Sequence, residues 1–98
     1  MTIGEFQKLI EEIYYDKDSE RGLEGTFMWL VEEIGELAQT LRSGNHNQLS
    51  EEFSDVLAWL ATTASISGVD LEQAAQKYAN GCPKCGQQPC ICPEPGID

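Results

Sequence analysis

The stretch SGNHN, residues 43–47, separates two runs whose apolar residues recur at helical spacing, and that arrangement leaves few folds open. Before it, Leu30, Ile34, Leu37 and Leu41 form one stripe, with Val31 and Ala38 beside it. After it come Leu49, Phe53, Val56, Leu57, Leu60 and Ala64. A short polar turn between two amphipathic helices predicts an antiparallel helical hairpin. Nothing in the chain alternates with a strand's period of two. Thr2 and Glu5 form a capping box that opens an earlier helix, carried to about Tyr15 by Ile3, Phe6, Leu9, Ile10 and Ile13. DKDSERGLEG, residues 16–25, is polar with two glycines and reads as a loop or a frayed helix start, with Thr26 a possible N-cap. Gly68 is placed to end the third helix as a left-handed cap. Asp70 with Gln73 resembles a second capping box, opening a fourth helix through Leu71, Ala74, Ala75 and Tyr78. The expected fold is all-α and four-helix bundle-like, with the hairpin at its centre.

The four cysteines, Cys82, Cys85, Cys90 and Cys92, all follow this helical body. They divide the chain into a domain over residues 1–80 and a tail over 81–98. Cys82-Pro-Lys-Cys85-Gly is a metal knuckle, and Cys90 and Cys92 can supply two further corners of a tetrahedron. Disulfides are the weaker reading in a reducing compartment, and iron uses similar knuckles. The expectation is a small structural zinc loop, since the two pairs lie too close together for a zinc ribbon.

Six basic and seventeen acidic residues give a formal net charge of −11. Such a surface repels nucleic acid polymers and anionic membranes. A phosphate-bearing ligand would need a cation between it and the protein. No apolar run approaches the ~20 residues of a membrane span. MTIGEFQKLIEE lacks the basic start and apolar block of a secretion signal, so the expected location is cytoplasmic.

Two acidic clusters flank the turn. WLVEEIGEL carries Glu32, Glu33 and Glu36; EEFSDVL carries Glu51, Glu52 and Asp55. At about 100° per residue, Glu33 and Glu52 fall on the margins of their apolar stripes, with Glu36 and Asp55 beyond them and Glu32 pointing away. Two margins of an antiparallel hairpin can converge. Four carboxylates brought together must protonate, splay into solvent or share a cation. Magnesium suits such a site, because it binds oxygen, takes one or two carboxylates directly and keeps positions for water and phosphate. A lone Glu-Glu-x-x-Glu is ordinarily a solvated helix face. The second cluster at hairpin distance, and the lack of i, i+4 lysines around either, favour the metal reading.

Glu32-Glu33-Ile34-Gly35-Glu36, fifteen intervening residues, then Glu52-Phe53-Ser54-Asp55, resembles the Glu-Glu-x-x-Glu … Glu-x-x-Asp signature of the MazG-like all-α nucleoside triphosphate pyrophosphohydrolases. The likeness covers roughly residues 3 to 80. It implies a four-helix fold that forms a homodimer or larger homo-oligomer. It implies magnesium-dependent hydrolysis of a nucleoside triphosphate to the monophosphate and pyrophosphate. Carried onto this chain, Glu33, Glu36, Glu52 and Asp55 are the metal ligands. Glu32 and Glu33 are the catalytic candidates, with Glu32 free to orient a water, serve a second metal or stand as surface charge.

Arg21 and Lys17 precede the second helix among Asp16, Asp18 and Glu20, where local pairing competes with a phosphate-binding role for Arg21. Trp29 and Trp59 lie on the glutamate sides of their helices. They either pack against other helices or a partner subunit, or one of them, Trp29 foremost, stacks on a nucleotide base. His46 sits in the turn as a solvated residue. The rival readings are a non-catalytic acidic helical interaction module with a structural zinc tail, and a related nucleotidase acting on diphosphates or modified nucleotides.

Overall fold

A computed structural model describes residues 1–93. Among them the regular structure is entirely helical: α1 (Ile3–Ser43), α2 (His46–Ile66), α3 (Leu71–Ala75) and a final 3₁₀ turn at Gln76–Tyr78. Residues 94–98, the end of the expected 81–98 tail, lie outside the described residues.

The first departure from expectation is α1 itself. Residues 16–25 are helical apart from Gly22, so the two expected helices meet at a kink within one 41-residue element rather than across a loop. A straight helix of that length would span about 60 Å, yet the longest dimension of the molecule is 43 Å. The break falls at Gly22, whose φ of 78° and ψ of 177° are non-helical. That region is essentially reserved for glycine. Thr26 is not an N-cap. It is fully buried, donates its hydroxyl to the Gly22 carbonyl at 2.7 Å and accepts from Arg21 Nη1 at 3.1 Å. The polar composition of residues 16–25 misled because one buried acid organises it. Asp18 takes Arg21 Nη1 at 2.9 Å on one oxygen and the Thr62 hydroxyl of α2 at 3.3 Å on the other.

The ends follow the sequence closely. Thr2 and Glu5 form both bonds of their capping box. Asn45 and Gln48 form a second one at the start of α2, so His46 is the first helical residue there. Gly68 adopts φ 74° after α2. The Val69 N–H then closes onto the Ala64 carbonyl at 2.8 Å, the long bond of a Schellman turn.

A complete four-helix bundle is not what these residues form. Asp70 caps α3 through Glu72 and Gln73, but α3 is five residues long and exposes all but Leu71. Its chief attachment is to the start of α1. Gln7 donates to Ser65 Oγ at 3.1 Å and the Val69 carbonyl at 2.8 Å, and accepts from Leu71 N at 2.9 Å. Glu72 accepts from the Gly4 N–H at 2.9 Å. The fold is therefore the α1–α2 hairpin with the first arm of α1 folded along it and a short C-terminal segment tied to that arm.

The hairpin also divides each expected apolar stripe in two. Toward α2, α1 turns Thr26, Leu30, Glu33, Leu37 and Thr40; Phe27, Val31, Ile34 and Leu41 remain exposed. On α2 the less exposed row is Leu49, Glu52, Val56, Trp59 and Thr63, while Phe53, Leu57 and Leu60 face outward. Among the described residues the buried apolar ones are Ile10, Leu30, Ala61 and Ala64.

Candidate functional site

Glu33 and Glu52 belong to the inward rows, so packing of the hairpin drives two carboxylates into the interface. Carboxylate oxygens of Glu33, Glu36 and Glu52 all lie within 4.8 Å of one another. The expected convergence of the two clusters is thus present for three of the four acids. Asp55 is exposed and stands outside this trio, although its charge acts on both Glu33 and Glu52. Glu32 is exposed and also outside it. Glu33 Oε2 and Glu52 Oε2 are shielded from solvent and have no hydrogen-bond partner.

Buried polar atoms are almost always satisfied, so two shielded carboxylate oxygens are costly as anions unless a proton shared between Glu33 and Glu52 or a cation joins them. Burial, then repulsion from Glu36, Asp55 and Glu52, holds the Glu33 carboxyl above its ordinary value. Glu52 is raised by burial and then by Glu36 and Asp55. The donor set is all oxygen and anionic, which fits a hard divalent cation such as magnesium.

Above the acids lies an aromatic layer. Trp29 and Trp59 stack with centroids 5.9 Å apart and planes 14° apart. The Arg21 guanidinium lies 4.7 Å from the Trp59 centroid. Arg21 is therefore engaged with Asp18, Thr26 and Trp59 rather than extended into solvent. It also lines a cleft of about 290 Å³ with Tyr14, Lys17, Asp55 and Trp59. Trp29 keeps 47% of its surface exposed.

One regularity accounts for the tryptophan stack. Trp29, Glu33 and Glu36 follow i, i+4, i+7 spacing on α1, and Glu52, Asp55 and Trp59 mirror it on α2. Each member of the first set is as far from Gly44 as its counterpart is on the other side. An antiparallel hairpin turning at Gly44 sets Trp29 opposite Trp59 and Glu36 opposite Glu52, while Glu33, on the inward row, meets Glu52 rather than Asp55. The mirror spacing was available in the sequence and predicts the tryptophan stack, which apolar periodicity alone does not.

The profile of the MazG nucleotide pyrophosphohydrolase domain matches residues 21–85, well over half of the 98-residue chain. The chain belongs to this family. No curated protein matches it at a significant level. The matched span of the MazG domain contains Glu33, Glu36, Glu52 and Asp55, and begins at Arg21. It also reaches the first two cysteines of a second cluster, Cys82, Cys85, Cys90 and Cys92, whose ligand atoms lie within 4.8 Å of one another. There the backbone N–H groups of Ile91 and Gln87 pull the Cys85 thiol down to about 6. Hydrogen bonds with Cys90 and Cys85 push Cys92 up to about 12.

The carboxylate cluster of the MazG domain carries a pH signature. Glu33 and Glu52 are raised in the folded, metal-free chain relative to an ordinary 4.5. The stability their protonation contributes is present below about 4.5 and is lost as pH rises through the higher folded values. Thermal melts in chelator should show Tm falling as pH rises above the ordinary carboxyl value, with millimolar magnesium flattening that slope. An identical slope with and without magnesium would contradict a cation at these acids.

Proposed function

We propose that this MazG domain is a magnesium-dependent nucleoside triphosphate pyrophosphohydrolase. It would cleave between the α and β phosphates to give a monophosphate and pyrophosphate, acting in the cytoplasm as a homodimer or larger homo-oligomer. The observation that supports it best is the pair of shielded, partnerless oxygens of Glu33 and Glu52, contributed by two different helices. Within a nucleotide pyrophosphohydrolase family, a cation shared with substrate phosphates is the fitting counter-charge.

In this reading Glu33, Glu36 and Glu52 hold the ion, and Asp55 joins them from the cleft side. Magnesium would offset charge on the phosphate oxygens and increase the acidity of water. Water attacks the α phosphorus, the bond to the bridging oxygen breaks, and that oxygen leaves with pyrophosphate. Glu33 and Glu32 are the carboxylates assigned to orient the water and take its proton.

The cleft beside Asp55 joins two further requirements. Lys17 and Arg21 bring positive charge to an otherwise acidic surface, and a guanidinium's five donors are not exhausted by Asp18 and Thr26. The outward face of Trp29 offers a stacking surface for the base. No described helix is long and apolar enough to cross a membrane.

The exposed row Phe27, Val31, Ile34 on α1 and Phe53, Leu57, Leu60 on α2 supports self-association, because a continuous apolar face of this kind marks an interface. A second copy would supply the remaining helices of a bundle.

The test is a panel of ribo- and deoxyribonucleoside triphosphates with magnesium, read by pyrophosphate release. Pyrophosphate with the matching monophosphate is expected. Orthophosphate release would move the assignment to a different nucleotidase, and no turnover of any nucleotide would favour a binding module. Tryptophan fluorescence should be quenched by the preferred nucleotide in the wild type and not in Trp29→Leu.

A further inference from the structure

We infer that Cys82, Cys85, Cys90 and Cys92 hold one zinc ion in a closed tetrahedral site that folds the C-terminal tail. This inference is independent of the pyrophosphohydrolase reading. The sulfur geometry carries it. Cys82 Sγ and Cys92 Sγ are 3.8 Å apart, and Cys85 Sγ and Cys90 Sγ are 3.9 Å apart. A zinc ion with sulfurs at about 2.3 Å has tetrahedral edges of about 3.8 Å. All four sulfurs fit within 4.8 Å of one another, so they enclose a single centre rather than forming two separate pairs.

Backbone donors also reach the sulfurs. The Cys92 N–H donates to Cys90 Sγ at 3.2 Å. The N–H groups of Cys85 and Lys84 donate to the Cys82 sulfur, and those of Ile91 and Gln87 to the Cys85 sulfur. Gly86, just after Cys85, takes φ 72°, and Gly81, just before Cys82, takes φ 100°. A side chain at Gly81 would also meet the Gln87 carbonyl oxygen at 3.1 Å. These glycines let Cys82 N–H reach the Gln87 carbonyl at 3.1 Å and Gly86 N–H reach the Cys82 carbonyl at 2.7 Å, closing the knuckle.

The described residues of this segment build no apolar core. Between residues 79 and 93 no residue is buried, and Ile91 is 75% exposed. A loop without a core folds when metal-ligand bonds supply the free energy. Four soft thiolates select zinc over magnesium, while the all-oxygen cluster of Glu33, Glu36 and Glu52 has the opposite preference. With every position taken by sulfur, the zinc has no place for water or substrate, and its role is structural.

The full chain, purified under reducing conditions and dialysed into magnesium-containing buffer, should retain one zinc per chain by elemental analysis. A mercurial that blocks thiols should release it to a chromogenic chelator, and cobalt substitution should give the intense visible bands of a tetrahedral tetrathiolate. Cys82→Ser and Cys90→Ser should each lower retained zinc at least tenfold, with helical circular dichroism unchanged. Glu52→Gln should keep its zinc. The inference is overturned if the reduced protein carries no metal and cobalt gives no bands. It is equally overturned by iron in place of zinc, or by an intact mass showing two disulfides.

Discussion

Glu52→Gln is expected to lower pyrophosphate release by about 10³-fold while raising the thermal stability of the metal-free protein. Both effects have one cause. Glu52 presents a shielded, partnerless oxygen to Glu33 and Glu36, so its charge is costly without a cation and valuable with one. Electrostatic help from a bound metal is worth several kcal/mol in a transition state, and each ~1.4 kcal/mol is tenfold in rate. The amide keeps the shape of the side chain and the packing of α2. Removing one charge relieves the repulsion that holds Glu33 and Glu52 above their ordinary carboxyl range. Steady-state kinetics beside melts in chelator would check the pair of outcomes. Loss of activity together with loss of metal-free stability would mean that Glu52 is structural. Glu32→Gln gives a useful contrast. A residue that orients water lowers kcat and leaves metal affinity intact; a surface charge changes neither.

Val31→Glu and Leu57→Glu should each break the protein into monomers and lower Tm by about 10 °C or more. Among the described residues of one chain four apolar side chains are buried, two of them alanines. Val31 is 51% exposed and Leu57 45%, on the outward rows of two helices that already pack together. Fully burying such a side chain contributes about 1.5–3 kcal/mol relative to leaving it exposed, and in a domain this small 1 kcal/mol moves Tm by about 4–8 °C. A charge placed there removes that gain and must also be desolvated if the copies associate. Light scattering should give at least twice the chain mass of 10.9 kDa for the wild type. A monomeric, fully stable wild type would remove the basis for an assembled bundle.

Much of this architecture is written locally. Thr2 and Glu5, the turn around Gly44, Gly68 and Asp70 each act through bonds to residues a few positions away, and each does what its neighbourhood dictates. What periodicity could not supply was the partner of each face. Leu30 and Ile34 look equivalent on a helical wheel, yet one is buried against the hairpin and the other is exposed. Only the identity of the packing neighbour separates them. Residues 16–25 narrow to a kink at Gly22 for a related reason: Asp18 is buried and accepts from Thr62, which lies far away in the chain. The fourth helix stopped early because Ala74, Ala75 and Tyr78 found no surface to cover. Three acids of the candidate site were legible because two helix margins must meet across a short turn. Asp55, one turn along α2 from Glu52, lies on the side of the cleft instead.

Everything functional in this account depends on acids from α1 and α2 sharing one cation. Manganese binding, followed by the paramagnetic signal of the free ion and competed with magnesium, tests this directly. Glu33→Gln on α1 and Glu52→Gln on α2 should each weaken the same single site by tenfold or more, with zinc in the tail unaffected. If either variant binds manganese as tightly as the wild type, the two helices do not form a common site.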